Sequence, residues 1–184
     1  MKFSNRPLAI TDVETTGLDA NIHEIVELGL LVVEQKTLKT LDHYEVKIRP
    51  VNMKNAARQA LVVCGYNERE WRKAVDLETA MHIYSEKTKD AIFVAHNVYF
   101  DWSFITRAFQ KTGIEDYMDY HRIDLFTSAW AKAQLGLLPK LSRFNLSDIC
   151  KYFDIKPEPH PHRAINGARS AHAVLKKLLK LPQK

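Results

Sequence analysis

The stretch that decides the reading is Leu8-Ala9-Ile10-Thr11-Asp12-Val13-Glu14-Thr15-Thr16-Gly17. Its apolar opening predicts a β-strand over residues 8–11, which the chain leaves through two acidic residues and a Thr-Thr-Gly turn. Asp12 and Glu14 stand two positions apart, so on an extended backbone their side chains leave the same face, roughly 6.6–7 Å apart along the strand. A pattern this short equally fits a strand tip turned to water, so the pair acquires meaning only from what the rest of the chain brings to it.

Working outward, strands are predicted over residues 25–34 and 44–48, which with the first make a meander. A fourth apolar run, 91–95, follows a helical segment near 77–87. That order is expected of an α/β crossover onto a parallel strand, so the sheet is mixed. Apolar residues at i, i+3 and i+4 predict helices over 100–111, 125–135, 146–153 and 164–181. Asn145 and Ser147 are candidate caps for the third of these, and Pro157, Pro159 and Pro161 hold the approach to the last in extended form. Trp71, Trp102 and Trp130 fall in helical segments, which favours packing over base stacking.

Composition sets the frame for these elements. The chain has 184 residues, 46% hydrophobic and 27% charged, with no repeat or low-complexity linker, which predicts one domain over 1–184 with its core at about 7–181. Cys64 and Cys150 are far apart and lack metal-ligand spacing, as expected of reduced thiols in a cytoplasmic protein. Apolar runs such as 28–33 and 60–64 are far short of the ~18 residues a membrane helix needs, so no membrane partner is expected. The formal net charge of +5 and pI of about 9.1 suit a polyanionic partner, although the basic residues are dispersed along the chain.

Two later stretches give the carboxylate pair its company. In Phe93-Val94-Ala95-His96-Asn97-Val98-Tyr99-Phe100-Asp101 a buried strand stops at His-Asn and a helix begins near an aspartate. Asp101 is either an acidic first-turn residue, favoured by the helix dipole by ~0.3–1 kcal/mol, or a third carboxylate delivered beside the first strand if strand four pairs next to strand one. The second stretch, His162-Arg163-Ala164-Ile165-Asn166-Gly167-Ala168, opens the last helix, and its histidine taken alone fits a solvated side chain.

Taken together, these segments resemble the His-containing (DEDDh) branch of the DEDD exonucleases, the family of polymerase proofreading subunits and oligoribonucleases. D-x-E-T-T-G at 12–17, H-N-x-x-F-D at 96–101 and H-R-A-x-x-(x)-A at 162–168 stand in the family's order, with Ile123-Asp124-Leu125 and Asn145-Leu146-Ser147-Asp148-Ile149 between the last two. The resemblance implies an α/β fold, a ribonuclease-H-like mixed five-stranded sheet flanked by helices. It also implies 3′–5′ hydrolysis of the terminal phosphodiester at a single-stranded 3′ end of DNA or RNA, with two Mg²⁺ or Mn²⁺ ions and a polymerase as a further partner. By resemblance Asp12 bridges both ions, Glu14 supports the water-side ion, Asp101 holds the second, and His162 is the general base. Thr15, Thr16 and Gly17 would lie near the 3′-hydroxyl, Leu18 would wedge against the last base, and Asn97 and Phe100 would line the pocket. Tyr66 falls in a loop that approaches substrate in the family. The chemistry agrees: clustered carboxylates suit hard divalent cations, ions ~3.5–4 Å apart can activate water and clamp a phosphate, and an imidazole titrating near neutrality can take the proton.

One position departs from the pattern. The family carries an aspartate five residues after the histidine, a ligand of the water-side ion, and this chain has Gly167. Asn166 cannot take its place, because one helical step turns the side chain by about 100° and an amide carries no charge. Glycine in a helix interior costs ~0.5–1 kcal/mol relative to alanine, so helix stability does not explain it, and no packing need for it is anticipated. The expected consequence is slow, Mn²⁺-favouring cleavage that Gly167→Asp would speed. The competing reading is a catalytically silent module of the same fold that holds nucleic-acid ends or docks a polymerase. Zinc bound by His160 and His162 has little support, since no cysteine accompanies their H-x-H spacing.

Overall fold

The computed structural model describes residues 2–156 and 158–180; Pro157 of the proline-rich approach and Leu181 at the predicted helix end lie outside the described residues. Five strands, β1 (Leu8–Thr15), β2 (Ile25–Val33), β3 (Thr40–Lys47), β4 (Ile92–Ala95) and β5 (Arg122–Asp124), form one sheet in the order β3-β2-β1-β4-β5. The first three make the antiparallel meander, and β4 and β5 join in parallel. The helices are α1 (Arg58–Val63), α2 (Glu68–Trp71), α3 (Leu77–Lys87), α4 (Val98–Thr112), α5 (Leu125–Gln134), α6 (Leu146–Tyr152) and α7 (Ala164–Leu179).

The sequence of each strand follows its place in the sheet. β2 is buried along its whole length, as a strand covered on both faces must be, and so reads as one apolar run. β3 is an edge strand; its polar first half pairs through backbone, which is why it begins before the alternation at residue 44. β5 has three residues and was not anticipated as a strand, and α1 and α2 are likewise too short to show a period.

Alternation along β1 divides the interior. Leu8 and Ile10 pack with Leu125, Ala168 and Val174 of α5 and α7, whereas Ala9 and Val13 pack with Met81, Tyr84, Phe104 and Ile105 of α3 and α4. Helices therefore cover both faces, and Asp12 and Glu14 continue the side that faces α7. Asp76, Asp124 and Asn145 cap α3, α5 and α6 by accepting backbone N–H groups; Ser147 lies inside α6 instead of capping it. Trp71 is buried and donates its indole N–H to the Val26 carbonyl at 2.8 Å, and Trp102 stacks edge-on against Phe93. Trp130 departs from the packing expectation: it is 48% exposed on the outer side of α5. Both cysteines are free and buried, and no described helix is long and apolar enough to cross a membrane.

Two features of the sheet place the site. β1 runs to Thr15, four residues past the predicted end, because β2 supplies antiparallel partners that far. Asp12 and Glu14 therefore sit within the strand and not at a free tip. β4, by contrast, pairs with β1 only from Leu8↔Ile92 as far as Ile10↔Val94. The last half of β1 thus projects beyond its parallel neighbour, opening a crevice at the carboxyl ends of the parallel strands, where open α/β sheets hold their ligands.

Candidate active site

The first wall of the crevice comes from β1 and α4. Asn97 adopts a left-handed conformation (φ 60°, ψ 58°), which turns the chain sharply from β4 into α4 and leaves Asp101 in the first helical turn. Asp101 is 3% exposed, and its Oδ1 accepts the Val13 N–H at 3.0 Å. That amide lies beyond the last β1–β4 pair, and a buried N–H left unpaired would be costly, so the carboxylate stands in for a missing strand. Because Val13 separates Asp12 from Glu14, the same bond brings Asp101 in beside both.

The second wall is the start of α7. His162 donates its N–H to the Val63 carbonyl at 2.9 Å, and its ring stacks on His160 at 4.7 Å between centroids. Two acidic residues that sequence reasoning missed complete the cluster. Glu27 lies directly across from Glu14 in the β1–β2 register and is fully buried. Its Oε1 accepts the Ala164 N–H at 3.2 Å, and its Oε2 lies 3.5 Å from Lys47 Nζ and 3.9 Å from the Arg163 guanidinium. These cations offset the cost of burying the charge. A lone charge inside the apolar run 25–33 was the available signal. Glu158 accepts the Arg163 N–H at 2.6 Å through Oε1 and places Oε2 3.8 Å from His162 Nδ1. Among the described residues, Glu14, Glu158 and His162 form the group whose ligating atoms all fall within 4.8 Å of one another. Nothing in the local sequence of Glu158 beyond its place between prolines marks it out.

Burial and crowding act together on the carboxyls. Asp12 is held well above the usual carboxylate range by burial first, then by Asp101, Glu14, Glu158 and Glu27. Glu14 is pushed up to about 8 by burial, then by Glu158, Glu27 and Asp101, with Arg163 opposing. Burial raises Asp101 to about 7 against the pull of the Val13 N–H. Such a set of hard oxygen donors, destabilised by its own charge, suits a divalent cation.

A pH dependence follows. In the unfolded chain these carboxyls ionise near 4, whereas the folded site binds its protons up to about pH 7–8. The stability contributed by proton binding is complete below pH 4 and is lost as pH rises through 7–8. The melting temperature of the metal-free protein should fall between pH 6 and 9, and Mn²⁺ should recover the loss at pH 8–9. Thermal denaturation across that range checks this, and a metal-free melting temperature that climbs toward pH 9 contradicts it.

Gly167 corrects the sequence expectation that packing has no need of glycine. It is buried on the face of α7 that meets β1, and a Cβ built there would lie 2.5 Å from Asp12 Oδ2 and 2.6 Å from Asp12 Cγ. The approach is equally close one strand away: Gly29, the register partner of Asp12, would carry its Cβ 2.3 Å from the Ala164 carbonyl carbon. The helix thus rests directly on the sheet through two glycines. Asn166 is turned away, accepting from Arg169 at 3.1 Å.

The loop after β1 is held by its own hydrogen bonds. The Thr15 hydroxyl donates to the Gly17 carbonyl at 2.6 Å, and the Thr16 hydroxyl accepts the Glu24 N–H at 2.9 Å. Leu18 projects from this loop, 84% exposed. Asn97 is exposed, Phe100 packs on Phe104 at 5.1 Å, and Tyr66 tilts against Trp71 at 4.9 Å.

A family model described as Exonuclease (RNase_T) matches residues 9–175. The chain belongs to this exonuclease family. Among its relatives are DNA polymerase III PolC-type proteins, from Bacillus subtilis at 31% identity over 173 residues and from Thermotoga petrophila at 26% over 183. The matches cover 93% and 99% of this chain but 11% and 12% of those polymerases, so this member of the exonuclease family spans a small part of their length. Its fold is also that of E. coli Exonuclease I in complex with a dT13 oligonucleotide (TM-score 0.81, 16% identity, 96% of this chain and 41% of that one). Cell-death related nuclease 4 is similarly close (TM-score 0.77, 14% identity, 94% and 63%).

Proposed function

We propose that residues 1–184 form one metal-dependent 3′–5′ exonuclease unit that removes the terminal nucleotide from a single-stranded 3′ end. The observation that carries this reading is the convergence of Asp12, Glu14 and Asp101 at the carboxyl end of β1, opposite His162 at the start of α7. Asp12, Glu14 and Asp101 would hold the two Mg²⁺ or Mn²⁺ ions, Glu14 on the side of the attacking water and Asp101 with the oxygen not committed to Val13. When bound, the ions would supply Lewis-acid polarisation of the phosphate and neutralise charge at the leaving oxygen. His162 takes the proton of the attacking water, its backbone fixed by the Val63 carbonyl. Thr15, Thr16 and Gly17 shape the wall near the 3′-hydroxyl, with Asn97 and Phe100 lining the pocket on the α4 side. The PolC-type relatives support a polymerase as a protein partner, and the oligonucleotide-bound Exonuclease I structure supports a single-stranded substrate.

The deciding assay is single-turnover cleavage of matched 3′-labelled DNA and RNA oligonucleotides in Mg²⁺ and in Mn²⁺. Loss of label one nucleotide at a time from the 3′ end is expected, and products cut internally would overturn the reading. Leu18, exposed and apolar, is the proposed wedge against the last base. Leu18→Ala should raise KM for the oligonucleotide about tenfold, the equivalent of ~1.5 kcal/mol of lost apolar burial. Its effect on stability should be within ~0.5 kcal/mol, as for other exposed positions.

Gly167 favours a second reading, a silent module that binds 3′ ends without turnover. Thermal stabilisation by Mn²⁺ in the presence of a nucleoside monophosphate separates the two, since a silent module that has lost its ions gives no response to the metal.

A further inference from the structure

The site described above lacks one carboxylate on the water side, yet its ligand spacing is tightest there. Position 167 carries no side chain, and the space its Cβ would take is filled by the Asp12 carboxylate. Glu158 comes from the loop before α7, where one ligating atom each of Glu14, Glu158 and His162 falls within 4.8 Å of the others. The geometry points to Glu158 as the replacement ligand, supplying from the loop the charge that the helix does not, so that Glu14 and Glu158 together hold the water-side cation beside His162.

Three observations support the assignment. Glu158 is anchored and not a wandering surface acid: Oε1 accepts the Arg163 N–H at 2.6 Å, and its side chain is 12% exposed. That bond leaves Oε2 free of it, 3.8 Å from His162 Nδ1, too long for a hydrogen bond. The formal charge count also balances. Asp12, Glu14, Asp101 and Glu158 present four carboxylates to two divalent ions, whereas Glu27 is already occupied by Lys47, Arg163 and the Ala164 amide. Affinity for hard cations follows ligand charge count, so a fourth carboxylate restores what Gly167 removes.

This inference rests on the metal-dependent reading, and the test separates the two. Mn²⁺ binding to the full chain is measured by electron paramagnetic resonance and titration calorimetry, together with the Mn²⁺-induced rise in melting temperature. The variants are Glu158→Gln and Asp12→Asn. Glutamine keeps the carbonyl that accepts the Arg163 N–H and removes only the charge. Glu158→Gln should weaken the weaker of two Mn²⁺ sites at least about tenfold, in the range seen when ligand environments are disturbed, and shrink the thermal shift. If Glu158→Gln does not fold, Glu158→Asp, which keeps the charge but withdraws it by one methylene, carries the same expectation of weakened binding. Wild-type Mn²⁺ affinity in whichever variant folds, with binding lost in Asp12→Asn, overturns the role of Glu158 and leaves the metal centre standing. Absence of Mn²⁺ binding by the unmodified protein overturns both.

Discussion

Asp12→Asn should reduce single-turnover cleavage of a 3′-labelled oligonucleotide by at least ~100-fold, the equivalent of ~3 kcal/mol of lost transition-state stabilisation. The same substitution should make the metal-free protein more stable. Asp12 is the side chain on which burial and four neighbouring carboxyls press together, and an isosteric amide relieves that repulsion while keeping the shape that fits under Gly167. At pH 8 a relief of ~1–2 kcal/mol corresponds to a rise of about 2–8 °C in melting temperature for a chain of this size. Such opposition between activity and stability is what a functional role for Asp12 in this crowded setting would produce. Thermal denaturation without metal and cleavage with Mn²⁺, run on one preparation, provide the check. A lower melting temperature combined with retained cleavage would show that Asp12 is structural.

The second large effect is expected at Gly167, where the close approach of Asp12 leads us to expect the opposite of the remedy that the sequence suggests. Gly167→Ala puts a methyl group 2.5 Å from an Asp12 oxygen. Overpacking of that kind costs about 1–3 kcal/mol, more than the gain in helix propensity, so a loss of several degrees in melting temperature is expected. Gly167→Asp adds a like charge to the same contact and should be less stable again in the absence of metal, with no gain in cleavage, because the new side chain displaces Asp12 from the crevice. The order wild type, alanine, aspartate in melting temperature is the signature. Faster cleavage by Gly167→Asp would show instead that α7 can withdraw from the sheet and admit the family's usual aspartate.

Much of this was legible in the chain itself, and the parts that were not share a cause. Long periodic elements declared themselves: the apolar run of β2, the crossover through α3 into β4, and the helices α4 and α7. What escaped was short or tertiary. β5 consists of Arg122, Ile123 and Asp124 and exists because β4 offers it an edge; no local pattern can encode that. The motifs singled out Asp12, Glu14, Asp101 and His162, which the fold brings together, but not Glu27 or Glu158, whose placement depends on which partner the fold sets across from them. The misjudgement of Gly167 is of the same type, since local propensity describes a helix alone and the constraint arises only where that helix lies on Asp12.

Arg163 gives the crevice a mechanical property. Its guanidinium donates to the Cys64 carbonyl at 2.6 Å and to Glu70 at 2.9 Å, while the neighbouring His162 amide is bonded to the Val63 carbonyl. The excursion through α1 and α2 is therefore riveted to the chain just ahead of α7. A polymer that pushed α1 aside would drag the imidazole with it, so in the proposed reaction contact along that rim and alignment of His162 would be one motion instead of two.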